Sequence, residues 1–459
     1  MRSASLPPLA TAGHSKVLNV TCGADAIGKC VLLGYKPRTV NPWSAPMASQ
    51  FLARPFAALR PTAASAADVI APPYDVLSTD EARALAANRP ASFLHISRPE
   101  IDLPPGSSPY SDAAYERGAE NLARLRDGGV LVRDREPSFY VYRMVMNGRA
   151  QTGVAFAASV AAYQANRIRR HELTRPDKEN DRVRNIATLN AQTGPVLLAY
   201  RANAALAELI DAAAAAKALF SVPGPNDVVH TVWRVAARAK INALGAALDA
   251  LDTLYIADGH HRGGAAACVA LQRRAAGAPL ASHELFLAVA FPHDEMRILA
   301  YNRVVADLSG LSSDALLAKV GASFRLEPSA AAVQPAQPET FGMFVADRWY
   351  RLRIRPELVP RADPVASLDV SLLQEHLLAP ILGIGDPRTD KRIDFVGGVR
   401  GVMDLEQRVR ERRAAIAFAL HPTRMEQLMA VADAGKLMPP KSTWFEPKLA
   451  DGLLSHVLD

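Results

Sequence analysis

The sequence predicts an α/β chain, in the α+β sense of mixed sheets with flanking helices, and three observations lead there. Apolar runs of strand length alternate with alanine-rich stretches of helical composition. Asn147-Gly148, a strong hairpin signal, separates two strand-like runs. Finally, an apolar run at Leu254–Ala257 passes through Asp258-Gly259-His260-His261-Arg262 into an alanine-rich helical segment, the pattern of strand, tight turn and helix N-terminus.

Taken in order, residues 1–46 lack periodicity and read as a weakly structured N-terminal extension, with Met47 an equally good start. Residues 47–325 read as the α/β core that carries the turn, and 326–459 as a C-terminal α+β region. From Val69 a short apolar strand meets Pro72-Pro73-Tyr74-Asp75, and in Ser78-Thr79-Asp80-Glu81 a serine or threonine caps a helix with Asp75 or Ser78 at its mouth. Residues 112–127 put Tyr115, Leu122 and Leu125 on one helical stripe, closed by Gly128-Gly129. Residues 138–146 and 149–160 form the hairpin. Residues 203–219 and 235–251 read as scaffold helices flanking a strand at 228–235. A buried strand follows at Leu285–Phe291, then a loop over 330–338, a strand pair around 341–355, helices over 369–380 and 404–419, and a Pro-rich stretch at 438–448. No internal repeat is found.

At 459 residues the chain has material for two or three domains. Its 49% hydrophobic and 22% charged composition is that of ordinary soluble proteins, and no apolar run approaches the roughly 20 residues of a membrane span. A formal charge of +7 and a pI near 9.3 admit nucleic acid, but the arginines are spread along the chain, so a small anionic ligand accounts for them equally well. The three cysteines form no CxxC pair, which supports neither a disulfide scaffold nor a cysteine-built zinc site. A reducing, cytoplasmic setting is expected, since the first 46 residues also lack a secretory h-region.

The chemistry concentrates at the turn. A strand entering a helix N-terminus points backbone N–H groups outward, and the helix dipole adds positive potential, so anions bind there. Gly259 permits close approach, Arg262 offers a bidentate fork to phosphate, and His260 and His261 can donate protons or hydrogen bonds near neutral pH. Asp258 would orient a histidine, coordinate magnesium or act as a base; a purely capping turn is the plain alternative. A second constellation runs from Arg169 to Arg182. Its His171 and Glu172, with Lys178, Asp181 and Arg182, suit phosphate clamping and proton transfer if the fold brings them to the turn, and otherwise form a solvated charged loop. Lys441 and Ser442 would add phosphate donors if the Pro-rich stretch closes over the same cleft. Neighbouring histidines in a turn do not make a zinc helix, whereas magnesium accompanying a nucleotide needs only one or two carboxylates. No Walker loop, GxSxG elbow or dinucleotide GxGxxG stands in its required context. No helix-turn-helix follows the turn, which disfavours DNA.

With these stretches side by side, the chain resembles the bacterial and archaeal family of domain-of-unknown-function 1015 proteins. The resemblance runs through Ile70-Ala-Pro-Pro-Tyr-Asp-Val76, Arg170-His-Glu-Leu-Thr-Arg-Pro-Asp-Lys-Glu-Asn-Asp-Arg182, Ala257-Asp-Gly-His-His-Arg262, Asp386–Val396 and Met438–Pro447. It implies a ParB/sulfiredoxin-like core, and ParB-like relatives include free serine kinases, which phosphorylate serine from an adenine nucleotide. On that likeness His260, His261 and Arg262 would hold phosphate, and Glu172 or Asp75 would be the base. The chain departs from the usual pattern at Gly263-Gly264, where Tyr-Glu commonly follows the turn. The expectation is a phosphotransferase acting on a small hydroxylated metabolite such as serine, with ATP or ADP and magnesium. A phosphoserine-type phosphatase and a ParB-like nucleotide- or DNA-binding regulator are the alternatives.

Overall fold

The computed structural model describes residues 51–459, together with two short strands, Cys22–Ala24 and Cys30–Leu32, that pair antiparallel. The expectations for an N-terminal extension and a start at Met47 otherwise lie outside the described residues.

Two mixed-composition layers dominate. The first sheet collects Ala53–Arg54 (β1), Phe139–Met146 (β2), Arg149–Ser159 (β3), Ile168–Arg169 (β4), Val196–Tyr200 (β5), Phe220–Pro223 (β6), Val229–Val235 (β7), Leu254–Asp258 (β8) and Leu285–Pro292 (β9). Among the described residues its order is β6-β7-β2-β3-β9-β5-β8-β4, with β1 on β3. The sheet is mixed, for β5–β9 and β4–β8 pair parallel while the others are antiparallel. The β2–β3 hairpin turns where the sequence says it should: Asn147 and Gly148 both take positive φ (51° and 75°), as a two-residue turn that matches strand twist requires. At its centre Gly153 lets β9 come close, because a Cβ there would lie 2.2 Å from the Ala290 carbonyl oxygen.

The second sheet is antiparallel and formed by Tyr301–Val305 (β10), Phe324–Ser329 (β11), Thr340–Val345 (β12), Arg348–Ile354 (β13), Ile393–Gly397 (β14) and Ile416–Leu420 (β15), in the order β11-β13-β12-β15-β10-β14. Sheet membership thus changes between Pro292 and Tyr301. The chain end then returns, as His456–Val457 pairs with Ala191–Gln192 beside the first sheet.

Helices Thr79–Ala86 (α1), Asp112–Asp127 (α2), Pro176–Leu189 (α3), Ala204–Ala214 (α4), Arg238–Asp249 (α5) and His260–Ala275 (α6) belong to the first layer. Ser78 and Glu81 close a capping box on α1, and Ser111 caps α2. Leu206 and Ile210 of α4, Leu244 and Leu248 of α5, and Ala266 and Ala270 of α6 bury one face of the first sheet. The opposite face, through Tyr140, Leu197, Leu287 and Phe291, shares a continuous core with Phe341, Leu352 and Phe418 of the second sheet. The fold is therefore α+β, with one mixed and one antiparallel sheet and flanking helices.

Several expectations need correction. The helix read over 404–419 stops at Arg410, where Arg412 takes positive φ (59°), and Ile416–Leu420 is instead a central strand buried at every position. An apolar run buried on both faces carries no alternation to separate strand from helix. The helix read to 219 ends at Ala214, freeing Phe220–Pro223 to pair with β7. The helix read over 369–380 is α-helical for about one turn at Asp369–Leu373 and then widens into a π turn at Gln374–Leu378. Cys268 is disulfide-bonded, a bond that the cysteine spacing, read as supporting no disulfide scaffold, did not suggest. No helix among the described residues is long and apolar enough to cross a membrane.

Candidate functional site

β8 leads Asp258 to the edge of the first sheet, and Gly259 then turns the chain into α6 with φ 93°, a left-handed conformation that L side chains rarely adopt. The turn is tight for a second reason. A Cβ on Gly259 would lie 2.9 Å from Arg262 Nε, because the Arg262 side chain folds back beneath the turn. Among the described residues no side chain caps α6 and its first turn holds no acid; the carboxylate at this helix N-terminus is that of Asp258, which the Gly259 backbone N–H helps to hold ionised.

Arg262 is not the outward phosphate fork that the sequence suggested. It is 8% exposed, and its Nη1 donates to the Pro195 carbonyl while Nη2 donates to Asp258 Oδ2 at 3.1 Å. Asp75 Oδ2 stands 4.0 Å from Nη2, and Nε is buried with no partner. Burial opposes the guanidinium charge, but Asp258 and Asp75 outweigh it and keep the group cationic. Arg262 therefore positions the turn and supplies a field from behind it. Behind it lies a cavity of ≈ 30 Å³ bordered by Tyr74, Ser97, Arg182, Arg262 and Asp451. That is room for about one or two waters, not for a phosphate ester.

Asp258 faces Arg262 on one side and Lys448 Nζ, 3.6 Å away, on the other. Burial works to raise its carboxyl, but the Lys448 and Arg262 cations more than offset this and hold it well below the usual carboxylate range. A carboxylate neutralised by two cations is a poor magnesium ligand, so the expected magnesium role of Asp258 does not fit these surroundings.

The 170–182 segment does come to the turn. The His171 and His260 rings meet edge to face at 4.5 Å, Glu172 Oε2 lies 4.0 Å from His260 Nδ1, and the Arg175 backbone N–H donates to His261 Nε2 at 3.0 Å. Gly264 makes this approach possible, since a Cβ there would lie 2.6 Å from Glu179 Oε2 on α3. The departure at Gly264 thus has a packing cause, whereas at Gly263 a Cβ would meet only ordinary contacts of 3.7–3.8 Å. His171 is 2% exposed, its Nδ1 has no partner, and burial pushes its pKa down to about 4. His260 is pushed well below its ordinary range by burial and by the neighbouring His171. Both rings are neutral at pH 7. Burial also lowers His261. Glu172 is 54% exposed at the mouth, yet desolvation by the surrounding walls raises its carboxyl; Lys441 acts the other way and Asp258 adds to the rise. One donor atom each from His171, Glu172 and His260 lie within 4.8 Å of one another, a nitrogen-rich set suited to a transition metal rather than magnesium.

The remaining candidates divide. Lys441 acts on Glu172 electrostatically, with its Nζ 5.6 Å from the Tyr301 ring, so it belongs to the mouth. Arg182 stacks on Tyr74 at 3.9 Å and pairs with Asp181, behind the turn rather than before it. Lys178 donates to the Tyr110 hydroxyl at 2.6 Å, on the outer side of α3. Ser442 is buried and donates to the Pro439 carbonyl at 2.6 Å, which fixes the Pro-rich stretch. Sequence reasoning missed Lys448 and Asp451, both supplied by the last residues of the chain. Asp451 is 2% exposed beside Arg262, and burial raises its carboxyl to about 7. The run Met438–Lys448 held the one available clue, a cluster of chemically able residues in a stretch that also reads as a surface tail.

Solved structures similar to the chain include a free serine kinase mutant in complex with AMP, at 11% identity, covering 64% of this chain and 86% of that one with a TM-score of 0.31. SbnI with C-terminal truncation from Staphylococcus aureus is 12% identical over 65% of this chain and 85% of its own, with a TM-score of 0.34. A conserved hypothetical protein from Pyrococcus furiosus is 13% identical over 66% and 94%, with a TM-score of 0.31. No curated protein matches the chain. The family described as "Protein of unknown function (DUF1015)" matches residues 53–371, the span that holds the turn, the His171–Glu172 pair and the first sheet, and the chain belongs to that family.

Proposed function

We propose that the β8–α6 turn binds the phosphates of an adenine nucleotide and that Glu172, beside His260, activates the hydroxyl of a small metabolite such as serine for phosphoryl transfer. One observation carries this reading. The N-terminus of α6, which no side chain caps among the described residues, begins at His260, and a half-exposed carboxylate with raised proton affinity, Glu172, places its Oε2 4.0 Å from His260 Nδ1. Phosphoryl transfer needs mainly positioning and charge neutralisation, and the two elements supply one each. In the step, Glu172 takes the hydroxyl proton, the oxygen bonds to the terminal phosphorus, and the bond to the leaving phosphate breaks. The backbone donors of α6 and His261 stabilise the charge on the transferred group. The mouth also mixes signs, with Lys441 and Lys448 against Glu172, Asp258 and Asp75. That mixture suits a substrate that brings an ammonium as well as an anion, as serine does.

The test is phosphorus NMR on the full chain with ADP or ATP and serine, repeated on Glu172→Gln and His261→Ala. Turnover reduced about 10²–10⁴-fold in Glu172→Gln, with nucleotide binding retained, is the expected result for loss of a general base. Release of inorganic phosphate without phosphoserine would turn the reading into a phosphatase. No nucleotide binding, with a salt-dependent shift of duplex DNA instead, would overturn it in favour of a regulator.

A further inference from the structure

Among the described residues, the outward face of the second sheet is covered at one end only. There Leu405 of the helix Gly401–Arg410 packs on Phe344, Ala417 and Val396. At the other end the face is polar, and the register sets its groups in two rows. Arg325 of β11 stands directly opposite Arg353 of β13, which stands opposite Thr340 of β12. In the next row Glu327 faces Arg351, and Arg351 faces Gly342. The loop 334–337 arches over these rows and is held close at Gly342, where a Cβ would lie 2.3 Å from the Val333 carbonyl oxygen. Sheet face and loop enclose a groove of ≈ 390 Å³, within the usual range for small-molecule sites and about tenfold larger than the space behind Arg262.

The arginines here are unusual for this chain. Elsewhere arginines are commonly tied to carboxylates, as in Arg60–Asp134, Arg262–Asp258 and Arg408–Asp404. Among the described residues Arg325, Arg351 and Arg353 have no ion pair and no side-chain hydrogen bond. Two of them oppose each other across a strand pair, an arrangement that weakens a sheet. The floor adds a second anomaly: Thr340 is 5% exposed, borders the groove, and its Oγ1 has no partner among the described residues. Charges that merely guard a sheet edge belong on the edge strand. Here two of the three arginines sit one strand in, on β13, and the orphan hydroxyl sits two strands in, on β12.

We propose that this groove is a second anion site, separate from the β8–α6 turn, which takes the phosphate groups of a small polyphosphorylated molecule of nucleotide size. Three guanidinium forks converging on one groove match a multiply charged anion with several oxygens. The two glutamines of the loop, Gln334 and Gln337, offer uncharged donors and acceptors to the rest of the ligand.

Calorimetric titration of the full chain with pyrophosphate, ATP and citrate tests this, on the wild type, on Arg351→Gln/Arg353→Gln and on Glu327→Gln. The expected result is saturable pyrophosphate and ATP binding that weakens at least about tenfold in the double variant and tightens in Glu327→Gln, with citrate weaker than pyrophosphate. If nucleotide also binds the turn, wild type shows two classes of site and the double variant one. If the turn binds nothing, wild type shows one class and the double variant none, so the two proposals fail separately. Unchanged pyrophosphate affinity in both variants overturns the proposal, and so does citrate binding as tightly as pyrophosphate. The variants change exposed side chains and remove like-charge opposition, and Glu327→Gln keeps all three arginines, so the test survives a folding defect in the double variant.

Discussion

The turn at Gly259 and the arginine face of the second sheet both gather cations, and they treat them in opposite ways. At the turn Arg262 is buried, tied to Asp258 and to the Pro195 carbonyl, and faced by Asp75. On the second sheet Arg325, Arg351 and Arg353 are exposed and unpaired among the described residues. The difference separates a charge that shapes a site from charges that await a ligand. A buried and satisfied guanidinium holds geometry and projects a field, whereas free forks on a rigid sheet give up solvent only when an anion arrives. Removing a charge at the turn should therefore cost much in stability, and removing one on the sheet should cost little or nothing.

The largest effect is expected for Asp258→Ala, which leaves the buried Arg262 and the partly exposed Lys448 without their shared partner. Loss of one member of such a pair destabilises by about 3–5 kcal/mol, read as a lowered denaturant midpoint at unchanged m. A loss under about 1 kcal/mol would mean that Arg262 finds other partners and that the contrast with the sheet is false. Gly259→Ala comes next. It forces an L residue to φ 93° and sets a Cβ 2.9 Å from Arg262 Nε, so about 1–3 kcal/mol should be lost along with anion binding at the turn.

Protonation sharpens the same comparison, because the turn contains buried groups shifted in opposing senses. His171 falls to about 4, so between its ordinary 6.5 and 4 the unfolded chain takes up a proton that the folded chain refuses, and stability is lost as pH falls through that window. Asp451 rises to about 7, so between its ordinary 3.8 and 7 the folded chain keeps a proton that the unfolded chain releases, and stability is lost as pH rises. The two trends cancel over much of pH 4–7. Asp451→Asn removes one of them, and the variant should gain on wild type by about 2–3 kcal/mol between pH 5 and pH 8. Parallel stability curves for the two proteins would show that Asp451 ionises as it does in water.

How far the sequence foretold this depends on whether the signal is local. The hairpin at Asn147-Gly148, the capped helices and the strand-to-helix turn at Gly259 were legible because positive φ, side-chain caps and a strand-to-helix switch are each written within a few residues. The meeting of His171 and Glu172 with His260 was readable only as a possibility, since it depends on α3 packing on α6 at Gly264. The inward turn of Arg262 and the strand at Ile416–Leu420 depend on distant partners and left no local trace, and the run Met438–Lys448 hinted at chemistry without showing that Lys448 and Asp451 arrive at the turn. The arginine rows were hidden for the same reason: Arg325 and Arg353 are far apart in sequence, and only the β11–β13 register sets them face to face.

That register makes the smallest expected effect a useful one. Arg353→Thr replaces a cation opposite Arg325 and next to Thr340 with a β-branched residue that favours strands. Exposed substitutions normally lie within about ±0.5 kcal/mol, and relief of a like-charge pair sets the sign here, so the melting temperature should stay the same or rise slightly. Adding pyrophosphate should then stabilise wild type more than the variant, reversing their order. A variant that melts clearly lower without any ligand would show that Arg353 already has a structural partner, and the division between shaping charges and waiting charges would have to be redrawn on that side of the molecule.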